Sequence, residues 1–427
     1  MRKLIGLCVL TVTLTSGCSE NPVTGQSEFS LVSARQEVAI GEQNYQPSQQ
    51  SQGGRYVVDP DLTPYVNQVG QRLAAVSDRP NLPYEFVVLN NDVPNAWALP
   101  GGKIAINRGL LVHLQDESQL AAVLAHEIVH AAARHSANQM TQGALLGIGS
   151  QVIGLASRDS DYAQLIALGS GLSAAAWQAR YGRQHELESD RYGMEYMARA
   201  GYDPQGAVEL QQTFVELSKN QRPDFLSGLF ASHPPSQERV EANRARAREL
   251  AGSTRNEEAY RRATAQLRKD AEAYELQQQA VKAFRDNEPD RALTLVNQAI
   301  ERQPRENHFW ETKGHILRAR DGNRGAMEAF DRAISLFPEY FSPYLGRAST
   351  HRATGDLRAA KADLLTSQQW LDTPITNYLL GEVSLELGQN REAVQYFQVA
   401  ASAGGEVGQA ARQQLERMGA VDQPQAQ

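Results

Sequence analysis

Apolar residues recur at helical spacing around residues 120–131, where Leu120, Val123, Leu124, Ile128 and Ala131 line one side of a predicted helix and supply a face to bury against a core. Upstream, residues 84–89 and 103–106 are short runs rich in strand formers and are expected to be strands. Two Ala- and Gly-rich runs follow, 140–157 and 164–176, broken apart by Asp159 and Asp161. Gln142, Ser150 and Gln151 interrupt the first, which therefore lacks the run of about 20 apolar residues that a membrane span needs. A close-packed helical hairpin is the expectation. After residue 250 the pattern turns to Ala, Arg, Gln, Glu and Leu with few strand formers, which marks a second domain.

That second domain has an internal register of 34 residues. Ala292, Val296, Ala299 and Pro304 are followed by Ala326, Phe330, Ala333 and Pro338, then by Ala360 and Leu364, then by Ala393, Phe397 and Ala400. Ala280, Gly314, Ala348 and Gly381 are equivalent in the preceding helices, with Trp310, Tyr344 and Asn377 just before them. The pattern resembles tetratricopeptide repeats, with units starting near residues 273, 307, 341 and 374 and a capping helix at 406–418. Such a stack implies a concave surface for a protein partner.

The predicted helix at 120–131 carries His126-Glu127-Ile128-Val129-His130. At about 100° per residue the two imidazoles lie roughly 40° apart, with Glu127 in the same arc. With nine His in 427 residues, chance places such a motif about 0.01 times in a chain of this composition. Two imidazoles on one face, with a carboxylate beside them, suit a zinc hydrolase. A catalytic zinc takes a third protein ligand and keeps one position open. Residues 181–193 read as a helix that places Glu186 and Asp190 on one face. Glu186 is the expected third ligand, and Asp190 is expected to orient a ligating His through its far ring nitrogen. His185 is a rival ligand; Glu188 points to the other side.

His-Glu-x-x-His followed by Glu-x-x-x-Asp resembles the M48 family of zinc metallopeptidases. The segment from Asn95 to Ile106, with Pro100-Gly101-Gly102 at its centre, looks like the family's strand and turn before the metal helix; Ser232-His233-Pro234-Pro235-Ser236 looks like its His-Pro loop. Gly182 and Ser189 depart from the usual Ser and Ala. The resemblance covers roughly residues 20–245 and implies an endopeptidase with one Zn2+ per chain, held by His126, His130 and Glu186, with Glu127 as general base. Arg183, His233 and Tyr181 are candidates to stabilise the oxyanion. Arg183 sits one turn before Glu186 and either approaches the metal or pairs with a carboxylate. The prolines stiffen the loop carrying His233, which is either a donor in catalysis, a fourth metal ligand in a resting form, or a surface residue. An exposed strand edge beside the metal would pair with an extended substrate. Trp97 lines a subsite or packs in the core.

Arg2 and Lys3 precede an apolar stretch from Leu4 to Leu14 and then Thr15-Ser16-Gly17-Cys18, a signal peptide resembling a bacterial lipobox. Cys18 is the expected lipidation site, which implies a periplasmic location with a lipid anchor in the membrane, the outer one by the sorting rule for Ser19. Cys8 would leave with the leader, so the mature chain would have no intramolecular disulfide. A net charge of −7 without a basic tract argues against nucleic acid as a partner. The expected architecture is α+β, mainly α: a leader at 1–17, a tether at 18–55, a zincin-like metalloprotease domain with a small β-sheet at 56–250, a continuous linker helix at 251–272, an all-α repeat solenoid at 273–420, and a disordered tail at 421–427. The combination resembles envelope peptidases of this family that assist β-barrel assembly. It implies unfolded or misassembled envelope proteins as substrates, with outer-membrane assembly machinery as a partner of the repeats. The competing expectation is a repeat-domain chaperone or adaptor with a latent protease site.

Overall fold

A computed structural model describes residues 18–142, 181–219, 228–320 and 322–420, which fall into two compact units meeting at Arg268 and Lys269. The expected leader, nearly all of the expected Ala/Gly-rich hairpin and the tail from residue 421 lie outside the described residues. Among the described residues, no helix is long and apolar enough to cross a membrane.

The first unit opens with a small antiparallel ribbon, β1 (Cys18–Glu20) and β2 (Ser27–Phe29), and then α1 (Ala34–Ser51) and α2 (Leu62–Ala74). β3 (Glu85–Leu89), β4 (Ala96–Leu99) and β5 (Lys103–Asn107) form a sheet in the order β3-β5-β4, with β3 parallel and β4 antiparallel to β5. The turn between β4 and β5 requires glycine: Gly101 and Gly102 have φ of 78° and 87°, and a Cβ on Gly101 would lie 2.7 Å from Val38 Cα. Trp97 belongs to the core. Its ring meets Tyr45 edge-on at 6.3 Å, and its indole N–H donates to Gln52 Oε1 at 3.1 Å.

After α3 (Arg108–Leu111) comes α4 (Glu117–Ala132), the helix that carries both metal-motif histidines. Asp116 caps it by accepting from the Gln119 N–H at 3.0 Å, and Glu117 suits the positive end of the helix dipole. The apolar spacing predicted one buried side, but every residue of α4 is buried. The reason is that α2, β4 and β5 pack on it together with α5 (Arg183–Arg199) and α6 (Gln205–Lys219). Gly193 allows α5 to come close, since a Cβ there would stand 3.2 Å from His126 N. α7 (Leu229–Ser232), α8 (Gln237–Ala247), α9 (Glu257–Ala263) and α10 (Ala265–Lys269) complete this part of the chain.

The continuous helix expected over 251–272 is absent. Thr254 bridges to Tyr202, Asn256 is left-handed at φ 48°, and Arg255 pairs with Asp116 and with Asp203 (3.3 Å). These ties keep residues 251–256 out of helix within the first unit, and helix resumes only at Glu257.

The second unit is all-α. Its helices run in pairs: α11 (Ala271–Arg285) with α12 (Pro289–Arg302), α13 (Asn307–Ala319) with α14 (Asn323–Leu336), α15 (Ser342–Ala353) with α16 (Leu357–Trp370), and α17 (Pro374–Glu386) with α18 (Asn390–Ser402). α19 (Gly405–Arg417) packs on the last pair. The register seen in the sequence has a packing cause: Gly314 and Gly346 both abut the Phe330 ring, and Gly381 abuts Phe397, so each aromatic fills space that small residues leave. This is the stack of a tetratricopeptide-repeat solenoid.

Candidate metal centre

Two helices and the residue that follows a third bring four side chains to a point. His126 and His130 project from α4, Glu186 from the first turn of α5, and His233 from the residue that ends α7. One ligand atom from each lies within 4.8 Å of the others. His130 Nε2 is 3.0 Å from His126 Nε2 and 3.4 Å from Glu186 Oε1. His233 Nδ1 stands 3.3 Å from His126 Nε2 and 3.0 Å from Glu186 Oε1, while its Nε2 is 3.5 Å from Glu127 Oε1. Glu127 is buried, and its Oε2 has no hydrogen-bond partner among the described residues.

The electrostatics fit a cation. Burial works against a charged His126, yet Glu186 and Asp190 outweigh it and raise its pKa to about 9. Burial drives His130 well below its ordinary value, which keeps it neutral and ready to ligate. Burial would raise Glu186, but His233, His126 and Arg239 hold it well below the usual carboxylate range. Burial raises the Glu127 carboxyl, with His233 and His126 opposing. Two neutral-capable imidazoles, an ionised carboxylate and a third imidazole form a donor set that suits zinc.

Asp190 Oδ1 lies 3.0 Å from His126 Nδ1, so the far nitrogen of this ring has a carboxylate partner. Arg239 holds that carboxylate in turn, with Nε at 2.6 Å and Nη2 at 2.7 Å from its two oxygens. The same guanidinium reaches Glu186 Oε2 at 2.8 Å and the Pro234 carbonyl at 3.2 Å. Arg239 was not among the residues singled out from sequence. A signal for it existed: Ser236 caps α8 by accepting from the Arg239 N–H, which puts a cation in the first turn, where the helix dipole disfavours one. A break with a local rule marks such a site.

Arg183 is elsewhere. Of the two expectations for it, proximity to the metal and pairing with a carboxylate, the structure has the second. It bonds Glu238, with Nε at 2.7 Å from Oε2, and its side chain is 76% exposed. It opens α5, and from the first turn a long side chain reaches solvent and the nearest surface acid. Tyr181 is buried instead, its ring stacked on His130 at 3.8 Å and its hydroxyl 3.0 Å from Ser136 Oγ. His185 stacks on His135 at 4.2 Å and is not in the metal group.

The expected exposed strand edge is buried. β4 forms the edge of its sheet and packs on α4, but Ala96 and Ala98 are 0% and 4% exposed. Asn107 N–H donates to Asn95 O at 2.8 Å, and bonded pairs alternate in an antiparallel ladder. Ala96 and Ala98 therefore turn their backbone groups to the outer edge. The segment carrying His233 is tied next to it, where Leu229 N–H donates to Pro94 O at 2.9 Å.

Among known proteins, the β-barrel assembly-enhancing protease of Yersinia pestis is 32% identical over 240 residues, which are 54% of this chain and 47% of that protein. The mitochondrial metalloendopeptidase OMA1 of Schizosaccharomyces pombe is 32% identical over 226 residues, 51% of this chain and 63% of that one. This chain thus spans about half the length of the first relative. Among solved structures, a thermophilic TPR protein of Thermus thermophilus covers 48% of this chain and 97% of its own, at 17% identity and a TM-score of 0.32. Residues 60–247, which contain all four clustered side chains and Glu127, match Peptidase family M48, a family of zinc-dependent peptidases. Over these residues the chain is similar to peptidase family M48.

Proposed function

We propose that this protein is a zinc-dependent endopeptidase of the bacterial periplasm, tethered through a lipidated Cys18, that hydrolyses unfolded or misassembled envelope proteins. The observation that carries the reading is the convergence of His126, His130 and Glu186 beside a buried, unpartnered Glu127 oxygen. When bound, zinc acidifies water and polarises the scissile carbonyl. Glu127 takes the proton of the attacking water and returns it to the leaving amine. Asp190 fixes the ring of His126, and Arg239 fixes Asp190. An extended substrate pairs its backbone with Ala96 and Ala98, which favours unfolded chain over any side-chain sequence. The repeats recruit substrate or dock the enzyme on outer-membrane assembly machinery.

Removing the metal with a chelator is expected to stop cleavage of an unfolded outer-membrane protein, and one equivalent of zinc to restore it. Cleavage that persists in metal-free protein overturns the reading.

His233 sits in the metal group and the β4 edge is buried, which together favour a resting, closed form. In this reading His233 is a latch on the open zinc position rather than a donor. His233→Ala is then expected to speed cleavage, by on the order of 10-fold if the open form is about a tenth populated. Lost cleavage would make His233 a catalytic donor, and an unchanged rate would remove both roles. The same closure favours a second reading, a repeat-domain adaptor for outer-membrane protein assembly with a latent protease site.

A further inference from the structure

The far nitrogen of His130 has an unusual partner. His126 turns its far nitrogen to a carboxylate, whereas His130 Nδ1 faces another imidazole, with His135 Nδ1 at 2.9 Å. His135 Nε2 lies 3.2 Å from Glu188 Oε1, and the same oxygen accepts from Asn21 Nδ2 at 3.2 Å. Both histidines are buried, and so is Asn21. Asn21 is pinned by its own turn, since its Oδ1 accepts from the N–H groups of Val23 (3.0 Å) and Thr24 (3.3 Å).

The donor directions along this chain are forced. His130 Nε2 faces the metal group, so a metal there leaves the proton on Nδ1. His135 must then accept at Nδ1 and carry its proton on Nε2, aimed at the Glu188 carboxylate. The Asn21 amide nitrogen can only donate, so the Glu188 oxygen that it shares with His135 is the acceptor for both. Every proton has one place.

The backbone is bent to allow it. Arg134 is left-handed at φ 64°, a strained conformation for a residue with a Cβ, and it folds the chain back so that His135 reaches His130. The Arg134 side chain bonds Ser19 Oγ, the Val32 carbonyl and Glu37 (2.6 Å), all in the segment that holds Asn21. Asn138 bonds Glu28, and Leu31 N–H donates to Thr141 Oγ1 at 3.0 Å. Residues 19–37 precede residues 60–247, the part that matches the peptidase family.

We propose that His135, Glu188 and Asn21 are positioning residues that set the tautomer and basicity of His130, so that the N-terminal turn at residues 21–25 completes the zinc site from outside the peptidase domain. The proposal rests on zinc binding at His126, His130 and Glu186. Outer partners of metal-ligating histidines are worth about 10–100-fold in metal affinity. His135→Phe keeps a planar ring and removes both nitrogens; Glu188→Ala removes the acceptor and Asn21→Ala the outermost donor.

The test measures zinc dissociation constants by chelator competition on the full chain, together with unfolding of the metal-free proteins. Expected are losses of about 10–100-fold for His135→Phe and Glu188→Ala, a smaller loss for Asn21→Ala, and partial recovery in Glu188→Gln, which still accepts from His135. Arg183→Ala, on the surface, should bind zinc as wild type does. If His135→Phe fails to fold, Glu188→Gln against Glu188→Ala carries the comparison alone. Wild-type zinc affinity in the Glu188 variants overturns the proposal, as does an affinity loss that only follows lowered stability of the metal-free protein. A wild-type chain that binds no zinc instead overturns the metal reading beneath it.

Discussion

Glu127→Gln is expected to abolish detectable peptide hydrolysis while one zinc stays bound. The substitution keeps size and shape at a position that is 1% exposed, between His126 and His130 but outside the four-residue ligand group. It removes only the capacity to take a proton. Loss of a positioned general base costs about 100- to 10,000-fold in rate. The measurement is cleavage of an unfolded outer-membrane protein by wild type and variant, with zinc content determined for both. Equal cleavage with equal zinc removes Glu127 from the mechanism. Zinc in both proteins with cleavage by neither favours the adaptor with a latent site.

Arg239→Met should be the most destabilising single change near the site. Arg239 is 4% exposed and neutralises two buried acids, Asp190 and Glu186, while its Nη1 also holds the loop at Pro234. Burial raises the Asp190 carboxyl, and Arg239 is what holds it below its ordinary value. Removing one partner of a buried ion pair costs about 3–5 kcal/mol, because the remaining charge is left uncompensated. Met fills much of the volume, so the loss reports charge more than a cavity. In the metal-free protein the first unit should melt lower by on the order of 10 °C. Zinc should recover part of this, since a cation between the ligands compensates Glu186 but does not replace the fork on Asp190. A melting point within about 2 °C of wild type, no more than the shift expected for about 1 kcal/mol, would show that the pair contributes far less than a buried ion pair should.

Some of the site was legible because it depends on spacing within one helix. His126, Glu127 and His130 share a face by helical periodicity alone, and Glu186 and Asp190 do so by the same rule on α5. Arg183 shows where that rule stops. It lies three residues before Glu186, yet its guanidinium goes to Glu238, because spacing sets the direction of a Cβ and not the destination of a long flexible side chain. Arg239 and His135 were missed for the opposite reason. Each acts through partners distant in sequence, Asp190 for one and Glu188 for the other, and no local period links them.

The linker shows the same division. Composition predicts a continuous helix over residues 251–272, but Thr254 bridges Tyr202 and Arg255 pairs with three acids, so tertiary contacts override propensity in its first part. In the repeat unit no such override occurs: each helix pair packs on its neighbours, and the 34-residue register in the sequence is itself the packing rule.

The sequence by itself determined the metal motif, the carboxylate pair that answers it, and the repeat register, all of which rest on contacts within a helix or between adjacent helices. Only the tertiary structure decided that His233 joins the metal group, that Arg239 grips Asp190 and Glu186, that the β4 edge is closed, and that Asn21 stands at the end of a hydrogen-bonded chain from His130. Those depend on which distant elements pack around α4. A buried charge or ring takes its partner from whatever the fold brings within about 3 Å, and sequence distance carries no record of that.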